Sequence, residues 1–360
     1  MSDSRLEQLR KRIDALDEQL QALLSERAEC AQQVAEAKRN NSDDADFYRP
    51  EREVEVLRRV RERNKGPLSD NEVVRLFREV MSACLALEQP LTIAYLGPEG
   101  TYSQAAALKH FGHSVELKSL AAIDEIFREV EAGSADYGVV PVENSTEGTI
   151  NHTLDMFIRS PLNICGDVEL RIHHQLLTVA NSLDDIKCVR AHQQSLAQCR
   201  EWLDANLPGV ERVAVSSNAE AARLAREDSA IAAIASDAAA EMYALSTLAK
   251  NIEDDPNNTT RFLVIGDQKV GPSGRDKTSL MVSAHNKAGA LYSLLEPISR
   301  HGVSMTRIES RPSRVSKWDY VFFVDVEGHA EDENVAAALK ELALAAAQLK
   351  VLGSYPNCEL

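Results

Sequence analysis

The sequence has few cysteines and no long apolar run. Among its 360 residues are six cysteines, and none lies in a CxxC pair, so we expect free thiols in a reducing cytosol rather than disulfides. The N-terminus is polar from Ser2 to Arg5, which predicts that the chain carries no signal peptide. No hydrophobic stretch approaches the length that spans a bilayer. These absences predict a cytoplasmic protein without a membrane partner.

Positive charge is also scarce. Forty Lys and Arg stand against 56 Asp and Glu, which gives a formal net charge of −16 at pH 7. A surface with this balance does not gather nucleic-acid phosphates or anionic lipids. We therefore expect no nucleic-acid partner. Small dianionic substrates respond to local arginines instead, so the net charge does not exclude them.

The sequence lacks the common nucleotide-binding motifs. It contains neither a GxGxxG after a strand nor a GxxxxGK[ST], the glycine-rich patterns that cradle phosphates. His173 and His174 lack metal-ligand spacing, and His192 has no obvious metal partner, so ordinary hydrogen-bonded histidines are the default interpretation. We expect an activity that needs no cofactor and no metal.

What the sequence does contain is three segments that differ in hydrophobic periodicity. The length predicts two or three domains. Residues 1–90 repeat at helical spacing, residues 91–268 alternate short strands with helices, and residues 277–360 follow a Gly- and Pro-rich linker. We predict an all-α three-helix domain, a two-lobed α/β domain with mostly parallel strands, and an α+β domain of ferredoxin-like order.

The first predicted helix carries a charge in an apolar seam. A capping box at Ser4 and Glu7 predicts its start. An arginine at position 27 of this seam requires a negative group nearby. By itself, Arg27 predicts a buried pair with a glutamate as readily as a ligand site. The seam runs through Leu6, Leu9, Ile13, Leu16, Leu20 and Leu23 to Arg27.

The spacing of Lys38 favours a ligand site. Lys38 follows Arg27 by eleven residues, about three turns, so both side chains point the same way and lie ~16 Å apart along the axis. Arg10 lies about 26 Å from Arg27 and is rotated by roughly 100°. One straight helix cannot bring all three to one small molecule. If they share a site, Arg10 comes from a second chain, which predicts a dimer.

Two more helices complete the segment. Pro50 in the first turn and Gly66-Pro67 after the end bound the second helix. A capping box at Ser69 and Glu72 begins the third.

The middle segment places polar clusters at the ends of predicted strands. Each cluster alone predicts turn and helix-cap chemistry. Four clusters that face one cleft predict a ligand site, because open α/β sheets bind ligands at strand ends. The clusters are Glu143, Asn144, Ser145 and Thr146; Gln193 and Gln194; Ser216, Ser217 and Asn218; and Thr259, Thr260 and Arg261.

Several of these motifs resemble known families. Thr260-Arg261-Phe262, with residues 94–103 and 140–146, resembles prephenate dehydratase, whereas the NKAGAL and ESRP sequences at 286–291 and 309–312 resemble the ACT domain. The helical segment resembles a chorismate mutase. Over nearly its whole length the chain therefore resembles the bifunctional chorismate mutase/prephenate dehydratases with a C-terminal ACT domain.

This resemblance implies an activity and an architecture. Chorismate would be rearranged to prephenate, and prephenate would be converted to phenylpyruvate, with L-phenylalanine as feedback inhibitor. The domains would be a chorismate mutase at 1–90, a periplasmic-binding-protein-like dehydratase at 91–268 and a regulatory ACT domain at 277–360. The mutase would be an intertwined homodimer, within a dimer or a higher homo-oligomer.

For the mutase, the resemblance implies a site of cations around chorismate. Cations would hold the two carboxylates and the ether oxygen of the substrate, and one of these cations would come from the partner chain. Glu51 would accept the substrate hydroxyl. A Claisen rearrangement needs a compressed conformer and positive charge at the breaking C–O bond, rather than an acid, base or nucleophile. The implied residues are Arg10 of the second chain, Arg27, Lys38, Glu51, Cys84 and Glu88.

Three departures from the family pattern affect this site. Phe47 and Pro50 stand where some relatives have an acid and an arginine, which leaves one cationic contact missing or supplied by Arg49 or Arg52. Cys84 replaces a serine of some relatives. Glu88 stands where many have glutamine, so donation to the ether oxygen requires a protonated carboxyl group with a raised pKa.

For the dehydratase and ACT domains, the resemblance also implies residue roles. Thr260 would be the catalytic hydroxyl that assists departure of the substrate hydroxyl, and Arg261 would bind a substrate carboxylate. The site would be lined by Glu143, Asn144, Ser145, Thr146, Gln194, Ser217 and Asn218. L-Phenylalanine would bind between two ACT domains at Asn286, Gly289, Ala290, Leu291, Glu309, Ser310 and Arg311.

The sequence is also compatible with two other hypotheses about function. The chain could be an amino-acid-responsive binding protein whose lobes do no chemistry. It could also be a monofunctional dehydratase whose helical segment only dimerises. The Thr260 hydroxyl discriminates, because a binding protein has no need of it.

Overall fold

A computed structural model describes residues 2–41, 48–284, 287–312 and 320–357. The chain divides into two compact units. The first combines Met1–Leu91 with Phe111–Glu116, and the second combines Thr92–His110 with Leu117–Glu359. No helix in the described part of the chain is both long enough and apolar enough to cross a bilayer.

The first unit is helical, as predicted. Pro50 occupies the first turn of the second helix. The Ser69 hydroxyl accepts a hydrogen bond from the Glu72 amide at 3.3 Å and caps the third helix, since a free N–H at a helix start needs a side-chain acceptor. The helices are α1 (Ser2–Asn41), α2 (Pro50–Arg63) and α3 (Asp70–Glu88).

The apolar seam of α1 is largely uncovered within one chain. Seven of its leucine and isoleucine side chains between residues 6 and 24 are 46–62% exposed. Exposed apolar side chains scattered singly are normal, but a continuous stripe marks a surface that another molecule covers. This stripe contains Leu6, Leu9, Ile13, Leu16, Leu20, Leu23 and Leu24.

In the second unit, two sheets form the predicted two-lobed α/β region. The first sheet has the strand order β2-β1-β3-β11-β5, with β4 pairing β3; the second has the order β10-β6-β9-β7-β8. The first contains β1 (Thr92–Leu96), β2 (Glu116–Leu120), β3 (Tyr137–Asn144), β4 (Gly148–Thr149), β5 (Asn163–Arg171) and β11 (Thr259–Gly266). The second contains β6 (Gln175–Thr178), β7 (Cys188–His192), β8 (Glu211–Val215), β9 (Ile231–Ala235) and β10 (Ser246–Ala249).

These sheets are mixed, so the prediction of mostly parallel strands was wrong. β1 pairs with β3, and β7 pairs with β8 and β9, in parallel. By contrast, β11 runs antiparallel to both β3 and β5, and β6 runs antiparallel to β9 and β10. The sequence alternates strands with helices, but β11 returns from the second lobe and enters the first sheet in the opposite direction. That return is what places Thr260 between the lobes.

Helices cover both sheets. The first lobe includes α5, whose inward face buries Ile126 and Phe127. The second includes α9, whose N-terminus is capped by the Ser217 hydroxyl. The bounds are α4 (Tyr102–Phe111), α5 (Ile123–Glu131), α6 (Asn151–Phe157), α7 (Gln193–Gln198), α8 (Arg200–Asn206), α9 (Asn218–Glu227) and α10 (Asp237–Met242).

The C-terminal region forms a four-stranded sheet with two helices. Its strand order, β13-β14-β12-β15, confirms the ferredoxin-like prediction, including the final strand, which pairs with β12 at the sheet edge. The elements are β12 (Asp276–Ala284), α11 (Ala290–Arg300), β13 (Met305–Pro312), β14 (Tyr320–Glu327), α12 (Glu333–Ala345) and β15 (Gln348–Pro356).

The two faces of this C-terminal sheet have different neighbours. Leu280 and Val282 pack against Leu294 of α11. Met281, which alternates with them along the strand, belongs instead to the same core as Leu263 of β11. Since alternate strand residues point to opposite faces, one face packs on its own helices and the other packs on the first sheet.

Candidate active sites

The helical unit encloses a cavity of about 380 Å³. Its charged lining has more cations than carboxylates, which suits a small dianion. Arg27 also donates to the Val80 carbonyl oxygen at 3.5 Å from its Nη1, a contact between α1 and α3. Polar and charged residues of the lining are Arg27, Lys38, Arg49, Arg52, Glu53, Cys84 and Glu88.

The cavity includes most, but not all, of the residues expected there. Arg27, Lys38, Cys84 and Glu88 line it. Arg10 is exposed on α1 and does not line the cavity of its own chain, in keeping with the prediction that it acts in a second chain. Phe47 lies outside the described residues. Arg49 and Arg52, the two alternatives for the missing cationic contact, both line the cavity.

Glu53, rather than Glu51, is the α2 carboxylate of the cavity. Glu51 accepts a hydrogen bond from Arg49 Nε at 2.7 Å and is not part of the lining. Two residues along an α-helix rotate by about 200°, so Glu51 and Glu53 cannot share a face. Glu53 is spaced from buried Leu57 and Val60 by four and then three residues, which puts the three side chains on one face of the helix. This spacing is visible in the sequence. The expected role of Glu51 is therefore not supported by the geometry.

Both carboxyl groups of the cavity have raised pKa values. Burial raises the pKa of Glu53 to about 7, even though Arg78 opposes the shift from an Nε–Oε1 distance of 3.7 Å. Burial also raises the pKa of Glu88, against the opposing charges of Lys38 and Arg27. Desolvation disfavours the charged form of a carboxyl group. A shift in this direction keeps a carboxyl group protonated to higher pH, and the protonated form of Glu88 is the one that can donate a hydrogen bond.

A second site is centred on Thr260 of β11. Thr260 is directly opposite Asn144 of β3 in the antiparallel register, and Asn144 Nδ2 donates to Thr260 Oγ1 at 2.8 Å. The Asn144 Oδ1 atom accepts from the Thr146 and Glu147 amides at 3.1 and 3.0 Å, which fixes the orientation of the side-chain amide. Thr260 thus accepts on one side and keeps its own proton available to donate.

Gln198 joins the second lobe to this group, although sequence reasoning missed it. Its Nε2 donates to Thr146 Oγ1 at 3.1 Å, and its Oε1 accepts from Asn258 Nδ2 at 3.0 Å. Asn258 in turn accepts from Asn144 Nδ2 at 2.8 Å. Asn258 lies two residues before Thr260 in the same polar run, and this position could have identified it as a site residue from the sequence. Gln198 sits inside a short helix and gives no such signal.

A buried histidine extends the network. Gln198 Oε1 lies 2.9 Å from His174 Nε2, which assigns the ring proton to Nε2. The Tyr102 hydroxyl, which donates to the His173 carbonyl oxygen at 2.6 Å, lies 3.1 Å from His174 Nδ1. Burial lowers the pKa of His174 and favours its neutral form. Glu253 accepts from the His174 amide at 2.9 Å. The Thr260 group therefore rests on polar contacts from both lobes.

Other predicted residues lie at strand ends but are engaged in local structure. Ser145 Oγ accepts from the Thr259 amide at 3.0 Å. Ser217 caps α9 by accepting from the Glu220 amide at 3.0 Å. Asn218 accepts from the His192 amide at 2.8 Å. The side chain of Gln194 is exposed.

Arg261 does not face the Thr260 site, contrary to expectation. As neighbours along β11, Thr260 and Arg261 point to opposite faces of the sheet. Arg261 Nε lies 2.9 Å from Asp167 Oδ2, and its Nη1 lies 2.7 Å from Asp325 Oδ2. Tyr355 accepts from Nη2 at 3.0 Å. With these partners and little exposure, Arg261 holds the C-terminal sheet rather than a substrate carboxylate.

The residues expected to bind a regulatory ligand lie in two places. Gly289, in the left-handed conformation at φ 79°, precedes α11, and Ala290 and Leu291 form its first turn; Asn286 lies outside the described residues. On β13, Glu309 accepts from Thr149 Oγ1 at 2.9 Å. Arg311 binds Asp155, with 2.9 Å between Nη2 and Oδ1. Ser310, between them, is exposed.

Comparison with known families matches all three regions. The chorismate mutase type II pattern matches residues 9–89, prephenate dehydratase matches 93–270, and the ACT domain matches 278–344. A bifunctional chorismate mutase/prephenate dehydratase of Stutzerimonas stutzeri is 59% identical over 359 residues, covering 99% of this chain and 98% of the relative.

Solved structures resemble the second unit. A prephenate dehydratase from Arthrobacter aurescens in complex with L-Phe is 34% identical with a TM-score of 0.69, covering 75% of this chain and 91% of that one. A protein described as a novel type of quorum-quenching acylase is 31% identical with a TM-score of 0.69, covering 74% and 98%.

Proposed function

This chain belongs to the family of bifunctional chorismate mutase/prephenate dehydratases, and we propose how its residues divide the work. It is an enzyme of phenylalanine biosynthesis with an ACT regulatory domain. Chorismate is rearranged to prephenate, prephenate is converted to phenylpyruvate, and L-phenylalanine inhibits. We assign the first reaction to the helical cavity and the second to the Thr260 site.

The cations of the cavity support the mutase assignment. Arg27, Lys38 and Arg52 supply positive charge for two carboxylates and for the ether oxygen that gains negative charge as the C–O bond breaks. Glu88, whose pKa is raised by burial, donates to that oxygen in its protonated form. Glu53 accepts the substrate hydroxyl in place of Glu51. Holding the substrate in a compressed conformer accounts for the rest of the rate.

The uncovered α1 stripe supports a homodimer. Its exposed leucines form the interface, and pairing of two α1 helices in opposite directions brings Arg10 of the second chain to the cavity. Burial of apolar area at about 25 cal/mol per Å² favours that association. Without the second chain, the cavity lacks one of its cations.

The observation that best supports the dehydratase assignment is the 2.8 Å hydrogen bond from Asn144 to Thr260. Because Asn144 occupies a lone pair on Oγ1, the Thr260 proton points to the leaving hydroxyl of prephenate. The carboxylate leaves as CO₂, its electron pair moves into the ring, and the C–O bond breaks as the departing oxygen is hydrogen-bonded by Thr260. A free threonine hydroxyl is a very weak acid, so donation within the polarised network is the mechanism we assign.

A direct assay tests both assignments. Chorismate is added to the purified protein without metal or nucleotide, and chorismate loss and phenylpyruvate formation are followed with and without L-phenylalanine. We expect phenylpyruvate to form and to fall when L-phenylalanine is present. In Thr260→Ala, prephenate should accumulate while chorismate loss continues, and Thr260→Ser should retain much of the second activity because it keeps the hydroxyl.

Other outcomes would favour the alternatives. Prephenate accumulating in the wild type contradicts the Thr260 assignment. Chorismate left untouched while added prephenate is consumed indicates a monofunctional dehydratase with a helical dimerisation segment. If neither substrate changes but L-phenylalanine binds, the chain is an amino-acid-responsive binding protein.

A further inference from the structure

Four buried charges meet where β11 packs against the C-terminal sheet. Arg261 lies 2.9 Å from Asp167 and 2.7 Å from Asp325, measured between charged atoms. Lys277 Nζ lies 2.8 Å from the same Asp167 Oδ2 atom. The side chains of the two cations are 11–12% exposed, and those of the two aspartates at most 7%. This four-charge cluster is neutral in sum, which is the condition for burying charges.

The cluster is shared between two domains. Arg261 and Asp167 belong to β11 and β5 of the dehydratase sheet, whereas Lys277 and Asp325 belong to β12 and β14 of the ACT sheet. Each domain thus presents one cation and one anion, and two of the three close pairs cross the boundary. Asp325 is further held by Ser279, whose Oγ donates to Oδ1 at 2.6 Å.

Asp325 is charged in this setting. Burial alone would raise its pKa, but Arg261 and the Ser279 hydroxyl overcome this and hold the pKa below the usual value. Lys277 balances the second negative charge at Asp167. Removing one member therefore leaves an uncompensated buried charge, which is strongly destabilising and favours a shift of the strands that carry the remaining charges.

The cluster lies one residue from the catalytic hydroxyl. Thr260 and Arg261 are consecutive on β11, and the register with β3 shifts between Arg261 and Phe262. A bulge locally interrupts the ladder and re-aims side chains, and here it lies on the β3 edge, which carries Asn144, whereas the register with β5 runs unbroken from Thr259 to Val264. The Arg261 side chain adds an anchor beside this bulge.

We propose that Asp325 of the ACT domain is a positioning residue for the dehydratase reaction, acting through Arg261 on the Thr260 hydroxyl. This rests on the dehydratase function proposed above. The ACT domain then contributes to dehydration itself, because its carboxylate sets the angle at which Thr260 meets the leaving hydroxyl. A misplacement of about 1 Å can cost on the order of a hundredfold in rate.

Steady-state kinetics of Asp325→Asn test this, with prephenate as substrate and the full-length chain. We expect kcat to fall by about tenfold or more while KM stays within about twofold, because the substrate is not touched. Arg261→Lys should show the same split, and Asp325→Asn combined with Arg261→Lys should be no worse than the poorer single variant, as expected for residues acting as a unit. Tyr355→Phe, which removes the 3.0 Å bond from Arg261 and the 2.8 Å contact with Ser279 Oγ but leaves all four charges in place, should lower kcat more mildly.

Two controls separate positioning from general damage. Lys350 Nζ donates across the same domain boundary to the Phe157 carbonyl oxygen at 3.1 Å, far along β15 from the cluster, so Lys350→Met should leave kcat unchanged. Chorismate loss by the same preparations reports whether the helical unit is intact. Thermal unfolding of each variant reports whether the second unit is folded. The kinetic assays are run well below the midpoint temperature of that unfolding.

The outcomes are distinct. If the wild type does not consume prephenate, the proposed dehydratase function is wrong, whereas the four-charge cluster remains a contact between the two domains. An active wild type with an unchanged kcat in folded Asp325→Asn overturns this inference. A raised KM in Arg261→Lys with no effect in Asp325→Asn also overturns it and restores Arg261 as a carboxylate ligand.

Discussion

At the scale of residues, the two carboxyl groups of the mutase cavity keep their protons to higher pH than a solvated glutamate. Burial raises both pKa values. A carboxyl group with a raised pKa donates a hydrogen bond below that pKa and loses the ability as pH rises through it. We therefore expect mutase activity, assayed from about pH 5 to 8, to decline as pH rises through the raised pKa of Glu88. Glu88→Gln should flatten the profile because an amide donates at every pH.

The pH profile of chorismate loss at saturating and limiting chorismate measures this. The change should appear in the mutase and be absent from prephenate consumption by the same preparation. A wild-type profile that is already flat over this range would remove protonated Glu88 from the mechanism.

Glu51 and Glu53 give a second residue-scale prediction. Glu53 lines the cavity whereas Glu51 pairs with Arg49. Glu53→Ala should lower mutase kcat/KM by about tenfold or more, since it removes a directed partner in a desolvated site. Glu51→Ala, its matched control on the same helix, should stay within about twofold, as for a pair with an exposed partner. The reverse order of effects would restore Glu51 as the catalytic carboxylate.

At the scale of elements, α1 serves its own chain and a second one. Its inner face contributes Arg27 and Lys38 to the cavity, and its stripe stays exposed. Placing a charge on Leu16, which is 48% exposed, should weaken the dimer because the charge has to be desolvated at the interface. Leu16→Asp is expected to dissociate the helical units and to lower mutase activity by about tenfold or more through loss of one cation.

Light scattering coupled to gel filtration, together with the dependence of mutase activity on protein concentration, checks this. Leu16→Met keeps the side chain apolar and should behave like the wild type. A monomeric Leu16→Asp with full mutase activity would show that Arg10 of a second chain is not required.

The same elements show what the sequence could predict. Pro50 and the Ser69 capping box located α2 and α3, and periodicity located the ferredoxin-like order, because these signals are local. The start of α1 was predicted wrongly, since the helix already includes Ser2, ahead of the cap expected at Ser4. The polar run before β11 led to Thr260. It also led to Arg261, and nothing local distinguishes the two: alternation puts them on opposite faces, and only the packing of the ACT sheet against β11 decides which face is the cleft. Gln198 was missed for the same reason, since Thr146 and Asn258, which it joins, are more than fifty residues away from it.

At the scale of the whole molecule, β13 of the ACT domain contacts the dehydratase domain close to the proposed Thr260 site. Arg307 binds Glu143, the neighbour of Asn144, at 2.8 Å. Glu309 and Arg311 hold Thr149 and Asp155. Glu309 and Arg311 belong to the motif that the family resemblance assigns to L-phenylalanine, so a ligand bound there would compete with the dehydratase for the same side chains.

If L-phenylalanine recruits Arg311, it has to displace Asp155, and removing that competitor should strengthen inhibition. A ligand's apparent affinity rises with the fraction of protein already in the competent state. Asp155→Asn should therefore lower the L-phenylalanine concentration for half-inhibition by about fivefold, equivalent to about 1 kcal/mol of coupling. Inhibition curves at fixed prephenate measure it. Asp204→Asn, which removes a pair with Arg212 in the second lobe, is the control for charge. Unchanged sensitivity in Asp155→Asn would mean that Arg311 stays on the dehydratase when L-phenylalanine binds, and that inhibition reaches Thr260 by another contact of the ACT sheet.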